Sequence, residues 1–444
     1  MKKILLGAAT LIAAGAIYYF TSGSEKLTEE MKQNVNAELT SLQQQGFTID
    51  QREIRAADEH FVMTFNDPQK IAAYMSKQGM MMNVEDAKIL QGMGMGVDVH
   101  YLPNTLDAIS VDIYPVTLPQ SIIQSAVEED DKKALVTIQK LMEQKTFLVH
   151  VDFDKLLSGF KGYVKDIHEK FEADKTVTLT MEGFTFKGSI DKERELVKTA
   201  TQNLKIISIE AANEFVMKLT DLQGDYQLTG VSKYDTLSHY EIANIAVDGK
   251  DFAIHFNHIV GQSDSAQKND LLSASGKSTI DTITVDANGT SSKLDALTYD
   301  INISNLDINA IEQLSQTDPK DEIKLKAALQ ALLSKGIALD INTIGVEKIE
   351  TEGKQLGGFA LNGQFTIEKG LDIQTLENNP MAGINAISSK AKVELSTELF
   401  ALIAEQPRSM MALMMFPPKD ANGKKIYEIE FAQGMLKVNG MPLQ

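Results

Sequence analysis

Residues Ile4 to Phe20 form an uninterrupted apolar run behind Lys2 and Lys3, and no charged residue follows until Glu25. As a helix, the run spans roughly 25 Å, close to the thickness of a bilayer core. Ile4, Leu5, Leu6, Leu11, Ile12 and Ile17 supply its bulk. Tyr18, Tyr19 and Phe20 end it, where amphipathic rings favour the membrane interface. The two lysines favour leaving that end in the cytoplasm, which puts the rest of the chain on the other side. Residues 1–21 therefore read as a single-pass anchor. The alternative is a cleaved signal peptide, for which the basic start and the small residues Thr21 and Gly23 are suitable. The length of the run and the lack of an A-x-A motif at its end favour the anchor.

The remaining chain is 43% apolar overall and long enough for one large domain or two ordinary ones. With no cysteine it has no disulfide, no thiolate metal site and no lipid-modified cysteine. The formal net charge of −18 repels nucleic acid and anionic headgroups, which argues against a nucleic-acid partner.

Residues 22–46 read as an amphipathic helical neck. Ser22 and Glu25 have capping-box spacing, and Leu27, Met31, Val35, Leu39 and Leu42 recur at helical intervals. This stripe can pack on the body or on a second copy in a homodimer. Residues 47–200 read as an α+β region. Asp67-Pro68 opens a helix, Asp130 to Lys145 forms another, and Val97/Val99/Tyr101, Ile109/Val111/Ile113 and Val177/Leu179/Met181 alternate as strands. Residues 201–444 read as β-rich, with turns expected at Asp248-Gly249 and Asn288-Gly289. One helix is expected from an N-cap at Asp318 to Lys335 and Gly336, and a closing hairpin turns at Gln433-Gly434. The expected fold class is α+β, dominated by an extended, curved antiparallel sheet with a few packed helices.

No catalytic constellation is evident, and no cofactor or metal is expected. His255 and His258 lack a third ligand, and regular alternation puts them on opposite faces of a strand. The stretch at 273–279 imitates a phosphate loop, but Leu271 stands where the pattern needs its first glycine. Two methionine clusters stand out: Met80, Met81, Met82, Met93 and Met95, and Met410, Met411, Met414 and Met415. Thioethers suit cores, pliable apolar binding faces or Cu(I), and core is the first reading. The second cluster is the candidate binding face. Asn288 and Asn302 begin sequons, each with an aspartate two residues earlier, which makes them candidate glycosylation sites.

Three stretches of the second half carry a resemblance. Residues 299–314 run as strand, Asn305-Leu306-Asp307 and helix; residues 331–355 as helix end, strand and Glu-Gly turn; residues 429–443 as the final hairpin. Over about 290–444 the chain resembles the YdgA-like family of bacterial envelope proteins, whose molecular function is unknown. Its anchored, β-rich plan is similar in outline to AsmA-like proteins, which are linked to lipid traffic. The resemblance implies an inner-membrane protein with its body in the periplasm and brings no catalytic residues. Two functions are carried forward: a non-enzymatic structural or interaction role with an envelope-protein partner, and a carrier holding a lipid on a sheet face.

Overall fold

The computed structural model describes residues 29–443 except 78–81, 103–106, 127–128, 173–175, 195, 213, 318–320, 407–412 and 414. The apolar run at 4–20 lies outside the described residues, as do Met80, Met81, Met410, Met411, Met414, Asp318 and Pro319. Among the described residues no helix is long and apolar enough to cross a membrane. The fold is α+β and mostly antiparallel sheet. It divides into two compact units, one ending at Thr229 and the other beginning at Gly230. The boundary expected near residue 200 falls inside a strand, Leu196–Ala211.

The first unit is a sheet with the helices Glu29–Gln44 and Pro68–Lys77 packed on one face, while the helix Glu129–Glu143 contacts the strands Asp107–Thr117 and Ile167–Glu172. Its strands are β1 (Phe47–Ile54), β2 (Asp58–Phe65), β3 (Gly94–Tyr101), β4 (Asp107–Thr117), β5 (Val149–Asp154), β6 (Gly159–Val164), β7 (Ile167–Glu172), β8 (Thr176–Glu182), β9 (Thr185–Asp191), β10 (Leu196–Ala211) and β11 (Phe215–Leu228). They pair in the order β1-β2-β3-β4-β5-β6-β9-β10-β11, and the β7–β8 hairpin joins the second half of β10.

Alternation sends Phe61, Val97, Ile113, Val149 and Val164 to one face in a single cross-strand row. The buried cluster is completed by Val35, Leu39 and Leu42 from the helix Glu29–Gln44, and by Ile71, Tyr74 and Met75 from the helix Pro68–Lys77. Val35, Leu39 and Leu42 of the neck stripe thus pack on the body, and Leu27 lies outside the described residues. Asp67 caps the second helix, accepting from the N–H groups of Gln69 and Lys70. Met82, Met93 and Met95 are core residues, so the described part of the first methionine cluster packs inside.

One charge lies within this core. Glu59 is 2% exposed and shares its row with Val99 and Val111. Register breaks between Asp50 and Glu53, and Gln51 takes a left-handed φ of 53°. This bulge aims Arg52 at Glu59, with Nε 2.6 Å from Oε1. Tyr101 donates to the other carboxylate oxygen at 3.0 Å, and Arg52 donates to Asn36 on the first helix at 2.7 Å.

The second unit is a meander of longer strands: β12 (Thr236–Gly249), β13 (Phe252–Lys268), β14 (Leu271–Ala287), β15 (Thr290–Asp307), β16 (Ile337–Thr351), β17 (Lys354–Ile367), β18 (Ile387–Ser396), β19 (Lys419–Ala421), β20 (Lys424–Ala432), β21 (Met435–Val438) and β22 (Met441–Pro442). β12 to β18 pair in sequence, β20 follows β18, and β19 and β21 share the far edge of β20. Asn288-Gly289, Glu352-Gly353 and Gln433-Gly434 take positive φ at both positions, the geometry of type I′ hairpins. At the first turn of this unit, β12 runs on through Gly249, and Lys250 and Asp251 make the turn instead. The helix Glu322–Ser334 is capped by Asp321, not by the expected Asp318.

Across β12 to β17 one pair is missing at the same level on every strand: Ala243, His258, Asp281, Ala296, Glu347 and Gly358 stand unpaired in a line. His258 and Ala296 take left-handed φ values of 50° and 52°. Such a residue sets two successive side chains on one side of a strand. The apolar residues flanking this seam are accordingly three apart: Ile242 and Ile245, Phe256 and Ile259, Ile280 and Ile283, Leu294 and Leu297, Val346 and Ile349, Leu356 and Phe359. The slip keeps them all on one face. It also returns His255 and His258 to a common face, contrary to simple alternation.

Candidate functional site

Two surfaces carry the chemistry, one in each unit. In the second unit, register aligns apolar side chains into rows that cross the sheet. One runs Ile242, Ile259, Ile280, Leu297, Val346, Phe359 and Leu395. Another runs Tyr299, Ile344, Leu361, Val393 and Tyr427, and a third Ile303, Leu339 and Phe365. The opposite face carries Thr279, Thr282, Thr284, Lys293, Asp295 and Asp300. Few side chains of this unit are fully buried. Ile259, Ile283, Val346 and Leu356 are, whereas Ile344, Leu361, Phe365 and Val393 are half-buried and Tyr240 and Tyr299 are exposed. Among the described residues, the core cluster of the first unit, Val35 to Ile190, has no counterpart of that extent here. The helix Thr397–Ala404 contacts β17, β18 and β20.

In the final hairpin, Tyr427, Ile429, Phe431, Leu436 and Val438 alternate as expected but are half-buried. The Tyr427 hydroxyl is buried without a hydrogen-bond partner.

In the first unit, the sheet face opposite the helices Glu29–Gln44 and Pro68–Lys77 carries two polar rows. One row runs His60, Asp98, Asp112, His150, Tyr163 and Thr185. The next runs Asp58, His100, Ser110, Asp152, Lys161, Lys187 and Thr201. Each histidine meets an acid: His60 Asp98 at 2.6 Å, His100 Asp58 at 2.6 Å, and His150 Asp112 at 2.7 Å. Lys145 reaches Asp98 at 2.7 Å and lies 3.9 Å above the Tyr114 ring. Burial raises the Asp98 carboxyl, but Lys145 and His60 together hold it below its ordinary value.

Ser110 Oγ lies 3.4 Å from His150 Nε2, and Asp112 holds Nδ1, which is the connectivity of a hydrolytic triad. Three features argue against that role. Asp152 is nearer to Nε2, at 3.2 Å, so both ring nitrogens face carboxylates. The Asp112 carboxylate raises the His150 pKa above its ordinary value, more than burial lowers it. In its protonated form, which Asp112 favours, the ring has no lone pair with which to take the Ser110 proton. Ser110 also sits mid-strand, paired on both sides, where backbone N–H groups are already committed and cannot form an oxyanion hole.

This network has a pH signature. A raised histidine pKa contributes stability that is fully present below the unfolded value of about 6.5 and is lost as pH rises through the higher folded value. Stability of the first unit is expected to fall as pH rises above about 6.5, and Asp112→Asn should flatten that slope. Urea unfolding from pH 5 to 8 checks it. An equally steep slope in the variant would remove Asp112 as the cause.

The sequence-derived candidates scatter. Met415 is 61% exposed. Asn288 is exposed in its hairpin turn, and Asn302 lies within β15 opposite Ser275 and Asp340. His255 pairs with Asp248, and His258 with Asp281 and Glu241. Among the described residues, no group of three or more histidine, aspartate or glutamate side chains is arranged to hold a metal. The histidine-aspartate face was missed, although polar residues at alternate positions in Val97–His100, Ser110–Asp112 and His150–Asp154 are its signal. No protein-family model, no curated protein and no solved structure matches the chain.

Proposed function

We propose that the chain is a non-enzymatic binding protein of the bacterial envelope, and that the apolar sheet face of its second unit holds an acyl chain or a similar apolar ligand. In this reading Ile4–Phe20 anchors it in the inner membrane and the body lies in the periplasm. The observation that carries the reading is the set of half-buried apolar rows running unbroken across the strands. A continuous apolar face left only half-buried is a candidate ligand surface. The first row crosses the strands from β12 to β18, roughly 29 Å at the usual strand spacing, enough to lay down an extended acyl chain. The net charge of −18 repels anionic headgroups, so contact with lipid falls to the apolar face.

The test is mass spectrometry of organic extracts from the purified full chain. A co-purifying lipid or fatty acid is expected, and the double variant Ile344→Glu/Leu361→Glu should lose it while remaining folded. An empty wild-type protein that also fails to take up a fluorescent fatty acid would sink the carrier reading. If the same variant instead dissolves a dimer in sedimentation, the face is a protein interface and the interaction role stands. The intact mass from the same preparation tests the anchor, because a mature chain beginning near Ser22 would be a soluble periplasmic protein.

A further inference from the structure

The polar face of the first unit holds a cleft of about 430 Å³, lined by Asp107, Asp152, Asp154, Lys161, Lys187 and Thr201 among others. We propose that this cleft binds a neutral oligosaccharide, with Tyr163 as the aromatic platform for a sugar ring.

The lining fits a ligand rich in hydroxyl groups better than an ion. Lys161 lies 3.1 Å from Asp107 and 4.0 Å from Asp152, so these charges offset one another. Asp154 is committed to the N–H and hydroxyl of Ser158 at 2.9 and 3.2 Å. Lys187 stands opposite Lys161 in the row. Ser189 and Thr199 share a hydroxyl contact of 2.7 Å at the cleft wall. Carboxylates accept, ammonium groups donate and these hydroxyls do both, on the successive strands β4, β5, β6, β9 and β10. A sugar hydroxyl likewise donates and accepts, so it can bridge neighbours of either kind. A strongly cationic or anionic ligand would have to break the Lys161 pairs.

Tyr163 supplies what a purely polar cleft lacks. It is 45% exposed and lies on the cleft's face of β6, two residues or about 7 Å from Lys161. One side of its ring stacks on His150, with centroids 4.9 Å apart and planes 27° apart. Asp112 and Asp152 fix His150 in turn. The platform is thus held in place before any ligand arrives, which lowers the ordering cost of binding. The exposed part of its ring offers an apolar surface to the C–H face of a pyranose. Every contributing residue named here except Ser158 sits on a paired strand, in a unit separate from the apolar face.

The experiment uses the full chain on an array of neutral, acidic and basic oligosaccharides, followed by calorimetric titration with the best neutral binder. Tyr163→Ala and Lys187→Ala should each weaken binding tenfold or more, and Tyr163→Phe should retain it. Thermal unfolding identifies any variant that has lost its fold, in which case Tyr163→Phe against Lys187→Ala still decides. The proposal is overturned if no neutral oligosaccharide binds, if binding survives Tyr163→Ala, or if spermidine or an acidic glycan is preferred at the same residues.

Discussion

Phe153→Ala is expected to cost about 3–5 kcal/mol, while Phe365→Ala should cost about 1 kcal/mol. Phe153 is 0% exposed near the end of β5, within the buried cluster, so its removal loses the full transfer energy and leaves a cavity. Phe365 is half-buried on the apolar face of the second unit, where truncation removes area already partly in water. Urea unfolding of each variant measures the difference, each substitution shifting the transition of its own unit. Equal losses at the two positions would mean that the second face is covered as tightly as a core, and the acyl-chain reading would lose its basis.

The buried ion pair gives the second large effect, and its asymmetry is the test. Arg52→Met should cost about 3–5 kcal/mol, because it strands a carboxylate whose side chain is fully buried. Glu59→Gln should cost less, about 1–2 kcal/mol. Its amide still accepts from Tyr101, and the Arg52 side chain is a quarter exposed and can turn to water. A reversed order would show that Arg52, not Glu59, is the group the fold struggles to bury. Because Arg52 also donates to Asn36, its loss should loosen the helix Glu29–Gln44, visible as faster amide exchange along it.

Much of this architecture was legible in the chain. Alternation in Val97–Tyr101 and Ile109–Ile113 marked strands, and Asp67-Pro68 marked a helix start, because these signals act over a few residues. Asn288-Gly289 and Gln433-Gly434 marked turns for the same reason. Asp248-Gly249 looked like a turn of the same kind, but cross-strand pairing carried β12 past it. The seam was not legible. Apolar residues three apart, as in Ile242 and Ile245, mimic a helical period, and only the register of neighbouring strands shows that all six slip together. The histidine-aspartate face was hidden for a similar reason. Its partners are about 40 residues apart, as with His60 and Asp98 or Asp112 and His150, and no local pattern joins them.

The seam also restricts how this sheet can change. Each strand from β12 to β17 is irregular at the same level while the pairing on either side keeps one register, so the strands share a common reading frame. Deleting His258 alone would leave Phe256 and Ile259 two residues apart and on one face by plain alternation, with Ala243 and Asp281 left unopposed as bulges. Deleting a residue from a regular stretch of β13 would instead turn half of that strand's apolar residues to the polar face. Single-residue insertions and deletions are therefore tolerable at the hairpin tips, such as Asn288-Gly289, and at the line itself, and not in the regular stretches between them. A lengthened or shortened relative of this sheet has to alter whole hairpins, with two strands gained or lost as a pair.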